Sequence, residues 1–118
     1  MKKESFLRKE RLKKNDSIKA VLDNGVCFKS RSVNIYILKR PDAEANKAAF
    51  ICKKALHQNK AILRNRVRRV LKEAYRRKKS VFPAGHDIVI VGVKIAAETK
   101  SSVIEREILD VFKKYTRT

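Results

Sequence analysis

The sequence contains no tryptophan, only three glycines and two prolines, and no long apolar run. A helix that crosses a bilayer needs roughly 18 to 20 consecutive apolar residues, so a membrane-spanning class of protein is excluded. The first nine residues, MKKESFLRK, carry charges where a secretory signal peptide needs an apolar stretch. These absences predict a protein of the cytoplasm.

Metal ligands and clustered acids are also scarce. Cys27 and Cys52 form no CxxC pair and cannot build a disulfide framework, so reduced thiols are expected. Together with His57 and His86 they match no zinc-binding spacing. The aspartates are scattered singly, whereas two-metal nuclease chemistry needs them clustered, and there is no GxxxxGK[ST] loop. We therefore expect this chain to bind no metal ion tightly and to contribute no catalytic residue.

Acidic residues are few relative to basic ones. The 118 residues include 12 Asp or Glu against 31 Lys or Arg, which gives a formal net charge of +19. Such an excess repels itself in a compact chain unless a polyanion is bound, while 43% hydrophobic residues are too many for a disordered basic tail. The length fits one domain. We predict a single domain over residues 1–118, with residues 1–14 as a basic N-terminal arm, that binds a polyanion.

Hydrophobic periodicity predicts the element order α-β-β-α-β-α, a small α/β sandwich of the α+β class. A short helix should carry Ile18 and Leu22 on one face and end at Asn24-Gly25 with a left-handed glycine. Val33, Ile35 and Ile37 alternate with polar residues, as in a strand buried on one side. The remaining elements are predicted strands over 47–53 and 87–93 and helices over 61–79 and from about 101 onward.

The helix predicted over 61–79 has the most informative pattern. Between Arg64 and Lys79 there are nine Lys or Arg and a single acid, Glu73. One face is polar and basic at helical spacing: Asn65, Arg68, Arg69, Lys72 and Arg76. The opposite face is apolar: Leu63, Val67, Val70, Leu71 and Ala74. A solvated helix face is the ordinary reading of a charge run, but this density favours contact with nucleic-acid phosphates, whose oxygens match guanidinium forks.

Two further features outside the basic helix are consistent with nucleic-acid binding. Lys53-Lys54 at a predicted strand end adds positive charge near its start. Tyr36 lies beside Asn34 on the polar side of its strand, where it is either a stacking platform for an unpaired nucleotide or a half-buried surface tyrosine. The residues alone thus predict a protein that binds RNA or DNA without cutting it.

The segment RNRVRRVLKEAYR at 64–76 resembles the signature of the bacterial ribonuclease P protein family, an RNR motif followed by an apolar residue, two basic residues and a continuing helix. The resemblance covers nearly the whole chain. It includes RLKKN at 11–15, which is similar to the basic entry to the family's first helix, then Gly25, Lys53-Lys54, and the strand DIVI at 87–90.

This resemblance implies a sheet of about four strands with a left-handed βαβ crossover, against the usual right-handed rule. It also implies that the chain helps to remove the 5′ leader of precursor tRNA and broadens substrate specificity. In that family the RNA subunit hydrolyses the phosphodiester with Mg²⁺ that it mainly binds itself. The implied partners are the catalytic RNA and the leader, with no membrane and no obligatory protein partner.

The resemblance also implies roles for individual residues. The RNA-binding residues of the helix are Arg64, Asn65, Arg66, Arg68 and Arg69, and the helix face adds Lys72. The flanking RNA-binding residues are Arg11, Lys53 and Lys54. The leader-binding cleft is formed by Ile18, Leu22, Asn34 and Tyr36. Ile18 and Leu22 stand where the family usually has aromatics, and the connection over 55–63 is longer than usual and lacks glycine.

Other readings of the same composition remain open. A ribosomal or other structured-RNA-binding protein would carry a similar basic sandwich but would have no role in tRNA processing. A DNA-binding regulator could place the 61–79 helix in a major groove, although no helix-turn-helix partner is recognisable. An autonomous enzyme would have to cleave the leader with no RNA subunit present.

Overall fold

In a computed structural model of the chain, residues 10–53, 60–95 and 98–117 are described. The helices are α1 (Asn15–Asn24), α2 (Ala61–Lys78) and α3 (Ser101–Arg117), and a short 3-10 turn, Lys79–Val81, follows α2. The strands are β1 (Val26–Lys29), β2 (Val33–Lys39), β3 (Lys47–Cys52) and β4 (His86–Gly92). None of these helices is long and apolar enough to span a membrane.

The predicted fold class is confirmed, with one strand added between α1 and β2. Strand β1 pairs antiparallel with β2, and Cys27 lies opposite Tyr36. Three of its four side chains are exposed, so it lacks the apolar alternation by which a strand is recognised in a sequence. The observed order is therefore α-β-β-β-α-β-α.

The four strands form one mixed sheet in the order β1-β2-β4-β3. Strand β4 pairs antiparallel with β2 and parallel with β3. Parallel neighbours cannot be joined by a tight turn, and α2 provides the long crossover that they need. Because β3 is an edge strand, α2 and the N-terminal residues meet along its outer side.

Helices pack on both faces of the sheet, although α1 leaves part of its face half-exposed at Asn34, Tyr36 and Val91. Packing on both faces explains the nearly continuous β-branched run of β4. The larger core lies between the sheet and helices α2 and α3, and it includes Ile35, Ile90 and Phe112. A smaller cluster on the opposite face is built around Leu12, Val21 and Val89, where α1 packs. The second cluster positions α1 beside the edge strand.

The predicted left-handed glycine at the end of α1 is wrong. Gly25 has φ −73° and ψ 160°, an extended conformation open to any residue. A Cβ at this position would instead lie 2.5 Å from the Val21 carbonyl oxygen and 3.0 Å from the Ile37 carbonyl oxygen. The glycine is needed because two backbone segments approach it closely, a contact that local sequence does not show.

Candidate nucleic-acid interface

Helix α2 is amphipathic in the predicted sense and packs against α3 and β3. Its fully buried residues are Val67, Leu71, Ala74 and Tyr75. Tyr75 was not among the predicted apolar positions, and its ring packs edge-on against Phe50 with centroids 5.7 Å apart. Burial raises the pKa of the Tyr75 hydroxyl far above its ordinary value. The helix is thereby fixed in rotation, with its basic side turned away from the core.

That basic side forms one wall of a cleft of about 640 Å³ along the outer edge of β3. The opposite wall comes from the N-terminal residues and α1. The lining residues are Arg11, Leu12, Lys13, Ile18, Ala48, Ala49, Phe50, Ile51, Asn65, Arg68, Arg69 and Lys72. Among these described residues five are Lys or Arg and none is acidic. The cleft therefore has an apolar floor and a rim of one charge sign.

Within α2 the structure brings four of the predicted residues to this cleft: Asn65, Arg68, Arg69 and Lys72. Arg68 Nη1 donates a hydrogen bond of 2.7 Å to Asn65 Oδ1. This contact between successive turns holds the guanidinium group beside the amide, so both can address one ligand. The spacing argument for a single basic face is confirmed over these residues.

Arg76, the last member of the predicted face, does not line the cleft. Its Nε and Nη2 donate to the two carboxylate oxygens of Glu73 at 3.0 and 2.7 Å, and Arg77 Nε donates to Glu73 at 2.7 Å. Hydrogen bonds from Arg76 and then Arg77 lower the pKa of the Glu73 carboxyl to about 2. The single acid of this segment thus engages two arginines, and the basic row along the cleft ends at Lys72.

The first residues of the RNR motif point in different directions, because neighbours on a helix are about 100° apart. Asn65 faces the cleft, while Arg66 lines a separate cavity beside the start of α3. Arg64 lies close enough to Cys52 to act on its thiol, whose pKa is raised chiefly by burial and lowered in part by Arg68 and Arg64. The three residues of the motif therefore lie in three different surroundings and do not form one patch.

The end of the predicted N-terminal arm is docked on the sheet. Arg11 forms a parallel β-bridge with Ala48, and the Leu12 amide donates to the Ala48 carbonyl at 2.9 Å. The Leu12 side chain is buried in the smaller core. This docking joins residues 36 positions apart, and sequence reasoning missed it; residues 1–9 of the arm lie outside the described residues.

The four residues predicted to form the leader-binding cleft do not all line the basic cleft. Ile18 lines the cleft, whereas Leu22 and Tyr36 are half-buried against the smaller core. The Cys27 side chain is Tyr36's neighbour across the sheet, and its hydrogen bond raises the pKa of the Tyr36 hydroxyl, with burial adding to the effect. Tyr36 thus presents a half-exposed ring on the α1 face of the sheet.

Asn34 connects the half-exposed face around Tyr36 with the edge strand β3. The register places Asn34 beside Val91 on β4, and Val91 beside Ile51 on β3. Since Ile51 also lines the cleft, these residues form a continuous path from the cleft across the sheet. The exposed Lys53 directly follows β3, and its amide donates to the Gly92 carbonyl at 3.1 Å; Lys54 and His57 fall outside the described residues.

The described residues contain no group of three or more His, Cys, Asp or Glu side chains that could hold a metal ion. A cleft rimmed by cations repels a metal cation. The chemistry available along the cleft is binding: guanidinium and ammonium donors for anionic oxygens, an amide, and apolar contact area.

One protein family and several known proteins are similar to this chain over most of its length. The family model for ribonuclease P matches residues 6–116. The ribonuclease P protein component of Clostridioides difficile is 33% identical over 111 residues, covering 92% of this chain and 94% of the relative. That of Brevibacillus brevis is 32% identical over 107 residues, covering 91% and 83%.

Solved structures of ribonuclease P proteins share the fold. The protein from Thermotoga maritima superposes with a TM-score of 0.74 at 22% identity, covering 89% of this chain and 96% of the other. The protein from Staphylococcus aureus gives a TM-score of 0.72 at 22% identity, covering 91% and 94%. From the family match and the identity to its curated members, the chain belongs to the ribonuclease P protein family.

Proposed function

We propose that this chain is the protein subunit of ribonuclease P and that its basic cleft binds the catalytic RNA of the holoenzyme. The observation that carries the proposal is the row Asn65, Arg68, Arg69 and Lys72, which faces a cleft with no acidic lining residue among those described. Guanidinium forks match pairs of phosphate oxygens, and Asn65 offers both a donor and an acceptor to a base edge or a ribose hydroxyl.

We assign the α1 face of the sheet to the single-stranded 5′ leader of precursor tRNA. Ile18 and Ile51 begin this path at the cleft, and Asn34 and Tyr36 continue it across the sheet. A half-exposed aromatic ring can stack on a base of any sequence, and aliphatic side chains add apolar contact without a π face. In this chain Tyr36 is therefore the main stacking residue, since Ile18 and Leu22 occupy the helix positions.

In this proposal the RNA subunit hydrolyses the phosphodiester, with Mg²⁺ that it mainly binds itself. The protein screens phosphates and positions the leader, which also broadens the range of substrates. Such a role places the protein in the cytoplasm with the RNA and the precursor tRNA as its partners, without a membrane or an obligatory protein partner. A structured-RNA-binding protein without a role in tRNA processing is the alternative that has to be tested.

Reconstitution with a bacterial ribonuclease P RNA tests the proposal. At low magnesium concentration the wild-type protein should stimulate leader cleavage, and Arg68→Ala with Arg69→Ala should abolish most of that stimulation. A variant with Lys113→Ala and Lys114→Ala removes the same charge from exposed positions on α3 and should retain it. Absence of stimulation by the wild-type protein, despite tight RNA binding, would favour the alternative.

A further inference from the structure

An ion pair far from the basic row anchors the N-terminal wall of the cleft. Lys79 Nζ lies 2.8 and 3.0 Å from the two carboxylate oxygens of Glu10. Both side chains are largely buried, at 11% and 15% exposure. Lys79 follows the last residue of α2, about two helical turns beyond Lys72, and it is not among the residues that line the cleft.

The anchor acts directly on the residues next to it in the chain. Glu10 precedes Arg11, which bridges to Ala48, and Leu12, whose side chain is buried. Arg11 and Lys13 line the cleft opposite Arg68 and its basic neighbours. Like charges on the two walls repel each other, so the N-terminal wall stays in place only if other contacts hold it.

Removal of one partner from a largely buried ion pair is costly, because the other charge stays desolvated and loses that attraction. Loss of Glu10 therefore removes an attraction and leaves the Lys79 ammonium group in a poorly hydrated position. Both effects favour release of the segment around Arg11. Once released, Arg11 and Lys13 no longer contact RNA phosphates at the cleft, so these contacts are lost from the complex and binding weakens.

We propose that Glu10 and Lys79 are positioning residues for RNA binding: their ion pair holds Arg11 and Lys13 at the cleft before RNA arrives. The inference rests on the proposed function only in taking RNA as the ligand of the cleft. It makes an acidic residue a requirement for binding a polyanion. Net charge alone predicts the opposite, because loss of Glu10 makes the protein more positive.

The test is the salt dependence of binding to a bacterial ribonuclease P RNA, measured for the full-length protein. Each phosphate contact contributes about 0.7 to 0.9 to the slope of log binding constant against log salt concentration. Glu10→Ala should bind more weakly than wild type and lose about 1.4 to 1.8 from the slope, if both Arg11 and Lys13 disengage. Asp110→Ala, which removes an exposed acid from α3, makes the same change in net charge and should bind at least as tightly as wild type.

Reversal of the pair separates positioning from general stability. Glu10→Lys combined with Lys79→Glu keeps the net charge and can rebuild the ion pair, so its slope should return to the wild-type value, whereas Glu10→Lys alone should keep the reduced slope. All measurements are made well below the melting temperature of each variant. A lower melting temperature with an unchanged slope for Glu10→Ala would overturn the proposal, as would a reversed pair that folds but keeps the reduced slope.

This outcome is independent of the test of the proposed function. If wild-type protein fails to stimulate leader cleavage, the ribonuclease P assignment is wrong, yet the difference in slope between Glu10→Ala and Asp110→Ala still reports on the anchor. If stimulation is present and the two variants bind alike, the anchor has no role in RNA binding.

Discussion

The replacement of Gly25 by alanine should destabilise the protein through a specific backbone clash. The added Cβ would lie 2.5 Å from the Val21 carbonyl oxygen and 3.0 Å from that of Ile37. Neither atom belongs to a flexible side chain, so α1 has to move relative to β2. Overpacking of this kind costs about 1 to 3 kcal/mol, which for a domain of this size lowers the melting temperature by roughly 4 to 15 °C.

Gly92→Ala is the matched control for this prediction. Its Cβ would approach the tips of side chains, Ile95 Cδ1 at 3.0 Å and Val67 Cγ1 at 3.1 Å. Such groups can shift. Alanine also stabilises the folded state by about 0.4 to 1 kcal/mol, because it lowers the conformational entropy of the unfolded chain. Thermal unfolding followed by circular dichroism should therefore rank Gly25→Ala as the less stable variant. Equal melting temperatures, or the reverse order, would refute the assignment of Gly25 to a close backbone approach.

Three further results are expected. His86 is buried between Phe82 and Tyr115, and burial lowers its pKa. The folded state therefore favours the neutral ring, so thermal stability should fall as pH drops below about 6.5. His86→Leu should flatten that part of the stability profile. Glu73 has a pKa lowered to about 2, so its contribution should be complete above about pH 4.5 and lost toward pH 2; because its side chain is 37% exposed, Glu73→Gln should cost under about 1 kcal/mol of unfolding free energy. If Tyr36 stacks on a base, Tyr36→Ala should weaken binding of a short single-stranded RNA by about 1 to 3 kcal/mol and Tyr36→Phe should not; equal losses for both would exclude stacking.

The parts of the site that could be predicted are those with local causes. The rotation of α2 follows from the spacing of Val67, Leu71 and Ala74, and the same spacing predicts that Asn65, Arg68, Arg69 and Lys72 share the other side. Helical geometry converts such spacing into direction within a few residues. Arg76, the last residue of the predicted face, does not line the cleft, and its guanidinium group instead bonds the neighbouring Glu73.

The parts that could not be predicted depend on contacts between distant residues. Leu12 reads as an isolated apolar residue in a basic segment, and only its bond to Ala48 shows that it closes the cleft. Strand β1 is only four residues long, and its apolar residues Val26, Cys27 and Phe28 are consecutive and do not alternate with polar ones. Such a short run does not identify a strand by itself, and β1 forms because β2 offers an edge. Gly25 is constrained by the Val21 carbonyl four residues away and also by the Ile37 carbonyl twelve residues away, and the second contact is not local. None of these causes is visible in a window of sequence.

The distribution of the acidic residues reconciles the large positive charge with a stable fold. Glu10 pairs with Lys79, Asp87 accepts a 2.6 Å hydrogen bond from Arg40, and Glu107 accepts from the Ser32 amide at 2.8 Å. Each of these contacts joins segments that are distant in sequence, so the acids hold the fold together. Because they are placed at these junctions and away from the lining of the cleft, the field at the cleft stays positive. The same few acids thus stabilise the domain and leave the binding surface unscreened. Loss of Glu10 is expected to weaken the binding of an anion because Glu10 holds the N-terminal wall in place and does not screen the cleft.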